Sequence, residues 1–132
     1  MIDVRVQSTA FDPGAQLARL AEVGAGAVVA GLIQAECAEG AGGILIEHYA
    51  AMAKAELTRI AEEAAERWPL AGMILIHRHG RFQPGDPILF AGVAASDRKA
   101  AAAALDHLLD GARTRAPFWR KALMADGSER WL

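Results

Sequence analysis

Arg113-Thr114-Arg115-Ala116-Pro117-Phe118-Trp119-Arg120-Lys121 gathers four cations, a proline and two adjacent aromatics into nine residues. These groups suit a wall that holds an anion. Guanidinium forks match the paired oxygens of a carboxylate or phosphate, and proline fixes φ while withdrawing a donor. The same residues also fit a strand edge in which Phe118 and Trp119 are partly core and the cations are solvated. Other chemistry-bearing groups are sparser. Cys37 sits in a glycine-rich, acidic stretch beside Glu36 and Glu39, which favours a bystander thiol, because reactive thiolates prefer electropositive surroundings. His77 and His79 share a face at period two, but no third ligand and no zinc spacing accompany them, so no metal is expected. No glycine-rich phosphate loop, Ser-His-Asp order or paired-carboxylate motif stands out.

The surrounding pattern predicts the elements that position the cationic stretch. Ile2, Val4 and Val6 alternate with polar residues, as in a half-buried strand. Asp12-Pro13 is an N-cap followed by proline at the first helical position, and Leu17, Leu20 and Ala21 give that short helix an apolar face. Ala27 to Ile33 reads as a strand buried on both sides, with Gly31 marking a bulge or a close approach of another backbone. After a loop from Ala35 to Gly43 come a strand at Ile44–Tyr49 and an amphipathic helix at Ala50–Trp68, ended by Pro69 and Gly72. Met73–His79 is the next strand, Pro84-Gly85-Asp86 a turn, and Pro87–Ala95 another strand. Ser96 is expected to cap a helix running to about Ala112, with Asp97 and Arg98 in its first turn. Ala125-Asp126-Gly127-Ser128 then separates two short runs of a terminal hairpin.

This order predicts a single α+β domain over residues 1–132, with a mixed, mostly antiparallel sheet and helices on one face. Net charge is −2 and the basic residues are scattered before the C-terminal cluster, so no cationic face is available for nucleic acid. Apolar runs fall well short of the roughly 20 residues that a membrane span requires. A lone cysteine and the absence of a signal-peptide pattern point to a cytoplasmic protein.

Several short segments carry a resemblance that runs in order from Gly26 to Trp131. They are Glu47-His48-Tyr49 before Met52, Arg67-Trp68-Pro69-Leu70, Ile76-His77-Arg78-His79-Gly80, Pro84-Gly85-Asp86 and, above all, Thr114-Arg115-Ala116-Pro117-Phe118-Trp119. Together they resemble the MoaE family, the catalytic large subunits of molybdopterin synthase. The resemblance implies an α/β-hammerhead fold and a homodimer. It also implies a small ubiquitin-like sulfur-carrier partner, whose C-terminal Gly-Gly tail enters a pocket as a thiocarboxylate. Sulfur would pass to cyclic pyranopterin monophosphate without a metal or other cofactor.

The chain departs from the family pattern at the implied site. Family lysines flanking the Thr-Arg-Ala-Pro-like segment and its Phe-Trp are Arg113 and Arg120 here. A guanidinium keeps the charge and the fork but cannot act as an amine nucleophile. Gly31 to Glu36 replaces a Phe-x-Gly-x-Val-Arg element, with Glu36 near the position of its arginine, and a family His-Arg pair is Asp97-Arg98. A carboxylate about 4 Å from a phosphate would cost about 1 to 4 kcal/mol between the dielectrics of water and a protein surface. The residues expected to carry catalysis are therefore Lys121, Arg120 and Arg113, with Arg98, Arg115 and Trp119 binding substrate. Lys121 adjoins the expected catalytic position and joins it only if a bulge turns its side chain inward. The competing reading is a binding or regulatory module that keeps the dimer and the carrier-tail groove without turnover.

Overall fold

Alternating Ile2, Val4 and Val6 form β1 (Ile2–Gln7), and Asp12 then opens α1 (Pro13–Glu22) by accepting hydrogen bonds from the N–H groups of Gly14 and Ala15. The chain continues through β2 (Ala27–Gln34), β3 (Ala41–His48), α2 (Ala50–Arg67), β4 (Gly72–Arg78), β5 (Gly80–Phe82) and β6 (Pro87–Ala95). It ends with α3 (Arg98–Thr114), β7 (Phe118–Met124) and β8 (Glu129–Trp131). The structure is a computed structural model describing residues 1–132.

The strands form two four-stranded sheets, ordered β1-β4-β6-β2 and β5-β3-β7-β8. Only the β1–β4 pair is parallel. The expected α+β class, antiparallel bias and C-terminal hairpin are all present. The layering is richer than helices on one face of one sheet. In β4, Met73 and Leu75 join the core that includes Leu57, Ile60, Ala104 and Leu108 of α2 and α3, whereas Ile74 and Ile76 join Leu20 of α1. The first sheet is thus covered on both faces, which is why Met73–Ile76 is an unbroken apolar run.

Three local expectations are corrected. Ala27–Ile33 is not buried on both sides; β2 is an edge strand with β6 as its sole neighbour, and Leu32 is 40% exposed. Its small residues made the run apolar without giving it bulk to bury. Gly31 marks neither a bulge nor the approach of a backbone: a Cβ there would lie 3.0 Å from the side-chain Cδ1 of Leu109 on α3, and the register shift falls at Ile33/Gln34. Asp97, one residue beyond Ser96, caps α3 by accepting from the Lys99 N–H at 3.0 Å, so Arg98 is the first helical residue.

Candidate anion-binding site

The cationic stretch straddles the C-terminus of α3 and the start of β7. Arg115 closes the helix by donating its backbone N–H to the Gly111 carbonyl, and Pro117, which has no donor, precedes the strand. From Phe118 onward the strand period sorts the side chains. Ala122 is buried on the core face, which Phe118 and Arg120 share, and Trp119, Lys121 and Leu123 alternate with them.

Arg113 and Arg120 line one cavity of about 870 Å³, together with Phe118, Trp119, Glu36 and Cys37. Neither guanidinium has a carboxylate partner among the ion pairs of the molecule. Burial, and then the neighbouring charge of Arg113, hold the Arg120 pKa below its ordinary value. Two unpaired guanidiniums facing one hollow form a site whose electrostatic need is met by an anion. Glu36 stands in the same wall, so an anion there experiences one opposing carboxylate. Cys37 shares the wall and is partly exposed. Trp119 is at the rim, common to this cavity and to a smaller hollow of about 460 Å³ lined by Glu47, His48, Tyr49 and Trp131.

The other expected site residues lie elsewhere. Lys121 pairs with Leu45 in a regular stretch of the β3–β7 ladder, whose register shift is at Ala41/Gly43. No bulge turns it inward. Its ammonium lies 3.5 Å from Glu129, 3.8 Å from Glu47 and 4.2 Å from the Trp131 ring centre, and Lys121 does not line the cavity. Arg115 is also directed away: its guanidinium donates to both Glu63 oxygens at 2.6 and 2.8 Å and to Glu56 at 3.0 Å. Arg98 begins α3 and Arg113 lies in its last turn, so fifteen residues of helix, about 22 Å, separate them. Asp97 is at that far end too.

Two features escaped sequence reasoning. His77, 1% exposed, stacks on Phe118 at 3.6 Å, and its Nδ1–H donates to the Arg78 carbonyl at 2.8 Å. Burial is the main cause that pushes its pKa down to about 4, with the charge of Arg120 contributing, so a neutral ring backs the wall. His48 stacks on His79 at 3.6 Å. The other feature is the pair of α2 carboxylates around Arg115, separated from it by 59 and 52 residues. Only their placement on the exposed side of an amphipathic helix was visible beforehand. No group of three His, Cys, Asp or Glu side chains is placed to hold a metal ion.

Comparison with known proteins adds an independent line. The family model described as MoaE protein matches residues 6–115. The molybdopterin synthase catalytic subunit of Mesorhizobium japonicum is 47% identical over 131 residues, spanning 96% of this chain and 81% of that protein. The structure of a molybdopterin biosynthesis MoaE protein from Burkholderia ambifaria superposes with a TM-score of 0.85 at 34% identity, covering 100% of this chain and 89% of that one. A protein–protein complex of subunits 1 and 2 of the molybdopterin-converting factor from Helicobacter pylori shares the fold, with a TM-score of 0.80 at 17% identity over 97% and 88% of the two chains.

Proposed function

We infer the function of this chain from its family and from its cavity: it belongs to the MoaE family, and its role is that of a molybdopterin synthase catalytic subunit in molybdenum cofactor biosynthesis. It is an enzyme of sulfur transfer, and a small sulfur-carrier subunit is its partner. The finer reading is our own proposal. Residues 1–132 act as one domain in a cytoplasmic homodimer; no helix is long and apolar enough to cross a membrane. The carrier presents a C-terminal thiocarboxylate, and the sulfur acceptor is cyclic pyranopterin monophosphate.

The observation that carries this proposal is the pair of unpartnered guanidiniums, Arg113 and Arg120, in one cavity. Both reactants are anionic there, through a phosphate and a thiocarboxylate. Arg113 and Arg120 hold those charges together and stabilise charge that shifts between them during transfer. Trp119 at the rim offers a flat apolar wall to the pterin ring. The part left to amine chemistry is small, because the Lys121 ammonium is held between Glu47 and Glu129 and does not line the cavity. Arginine therefore acts here by electrostatics and positioning rather than as a nucleophile.

Titration with inorganic phosphate tests the anion site without requiring turnover. Arg113→Ala and Arg120→Ala should each weaken binding by about tenfold or more, in line with about 1.5 to 3 kcal/mol for a hydrogen bond to a charged group. Unchanged affinity in both variants would mean that the cavity is not the anion site.

A further inference from the structure

We propose that Arg115 is a positioning residue for the anion cavity, acting through a carboxylate clamp on α2. This rests on the cavity being the substrate site. The segment from Arg113 to Arg120 supplies both guanidiniums and two aromatics of that wall; Phe118 to Arg120 are paired with β3, and the link from α3 to that strand makes few hydrogen bonds to other elements. Thr114 bonds back to its own helix, and the Phe118 N–H reaches only the Ala116 carbonyl. Arg115 is the one residue of the segment whose side chain hydrogen-bonds to another element.

The clamp is chemically complete. Arg115 makes a bidentate pair with Glu63 and a further pair with Glu56, at 2.8 Å in its closest approach. Glu63 Oε1 also accepts from His107 Nε2 at 3.0 Å, which ties in the middle of α3. The Arg115 hydrogen bond, partly opposed by desolvation, holds the Glu63 carboxyl at about 2, so it is ionised throughout the neutral range. Two fixed carboxylates on one rigid helix therefore set where Arg115 lies. Arg113 is two residues before it and Phe118 three after. Phe118 in turn lies flat on the buried His77, which leaves little freedom in the wall once Arg115 is seated.

The geometry separates this role from direct anion binding. Were Arg115 an anion ligand, Glu63 and Glu56 would compete with the anion, and neutralising Glu63 would free the guanidinium and tighten binding. As a positioning residue, Arg115 needs Glu63, and neutralising either partner loosens the same wall. Lysine cannot replace the fork, since a single ammonium does not reproduce the bidentate geometry.

The test uses the full chain as wild type, Arg115→Gln, Arg115→Lys, Glu63→Gln and the double variant Arg115→Gln/Glu63→Gln. Inorganic phosphate affinity, kcat and KM with the thiocarboxylated carrier, and the thermal midpoint are measured for each. The expected result is that Arg115→Gln and Glu63→Gln weaken phosphate binding alike, and that the double variant is no worse than either. Losses in kcat/KM reach about a hundredfold, the scale of an ångström of misplacement. Arg115→Lys does not rescue. Phosphate affinity that tightens in Glu63→Gln would make Arg115 a ligand and overturn the inference. Lowered midpoints with unchanged phosphate affinity would reduce the clamp to a structural tie and also overturn it. A wild type that binds no phosphate would bring down the anion-site reading with it, whereas a binding wild type and equally binding variants would overturn this inference alone.

Discussion

At the scale of single residues, the cavity is defined by which charges are left without partners. Arg115 and Lys121 are satisfied by carboxylates within the chain, and Arg113 and Arg120 are not. Residue type alone could not make this distinction, because all four cations lie within nine positions and the partners of Arg115 are more than fifty residues away in sequence. What was legible was the period-two division of Arg120 from Lys121. His77 adds a prediction about pH. Its pKa falls from 6.5 to about 4 in the folded chain, so between those values the unfolded state binds a proton that the folded state refuses. Stability should therefore be full above about pH 6.5 and decline as pH falls towards 4, by at most about 3 kcal/mol from this ring. Urea unfolding of His77→Phe as a function of pH checks it: the variant should show a flatter acid limb across that interval. An unchanged slope would mean that another group is responsible.

At the scale of elements, the chain was most readable where one residue type performs one local task. Asp12-Pro13 began a helix, and Gly127 at φ 87° turned the final hairpin. It was least readable where small residues permit close approach, because smallness says nothing about what approaches. Gly31 faces Leu109, and Gly111 of α3 faces Ile60 of α2, where an added Cβ would lie 2.8 Å from Ile60 Cγ2. Gly111→Ala must displace Ile60 or part the two helices, and overpacking of this kind costs about 1 to 3 kcal/mol. Gly42, with nothing within 4 Å of a built Cβ, is the control, and its alanine variant should stay within about 0.5 kcal/mol. Chemical denaturation midpoints measure both. Equal midpoints for the two variants would show that α2 and α3 are not tightly packed at Gly111.

At the scale of the whole molecule, the strands divide into two sheets that both reach the cavity: Leu32, Ile33 and Ile88 of the first line it with Phe118 and Arg120 of the second. The first is buried between α1 on one face and α2 and α3 on the other, and the second carries β7 and its cavity-lining residues. That division was hidden in the sequence because strand count and order do not state which strands pair: β3 and β7 are neighbours despite lying on either side of two helices. Arg98, expected from the sequence to bind substrate, is about 22 Å along α3 from Arg113, too far for one chain to bring both to one anion. In the proposed homodimer, an Arg98 that contacts the anion would come from the second copy. Mixing Arg98→Ala chains with Arg120→Ala chains should then restore activity to about a quarter of wild type, because half of randomly paired dimers are mixed and each has one intact site. No recovery on mixing, with exchange of subunits verified, would leave Arg98 outside the site.

In the proposed mechanism this MoaE-family chain transfers sulfur with guanidiniums and without a cavity amine. Single-turnover formation of molybdopterin from cyclic pyranopterin monophosphate and a thiocarboxylated carrier tests it most directly, with Lys121→Ala and Arg120→Ala beside the wild type. Product is expected from wild type and from Lys121→Ala, and a loss of about a hundredfold or more in Arg120→Ala, the range seen when one stabilising donor is removed from an active site. No product from the wild type while carrier binding persists, or product abolished by Lys121→Ala in a folded chain, would contradict it.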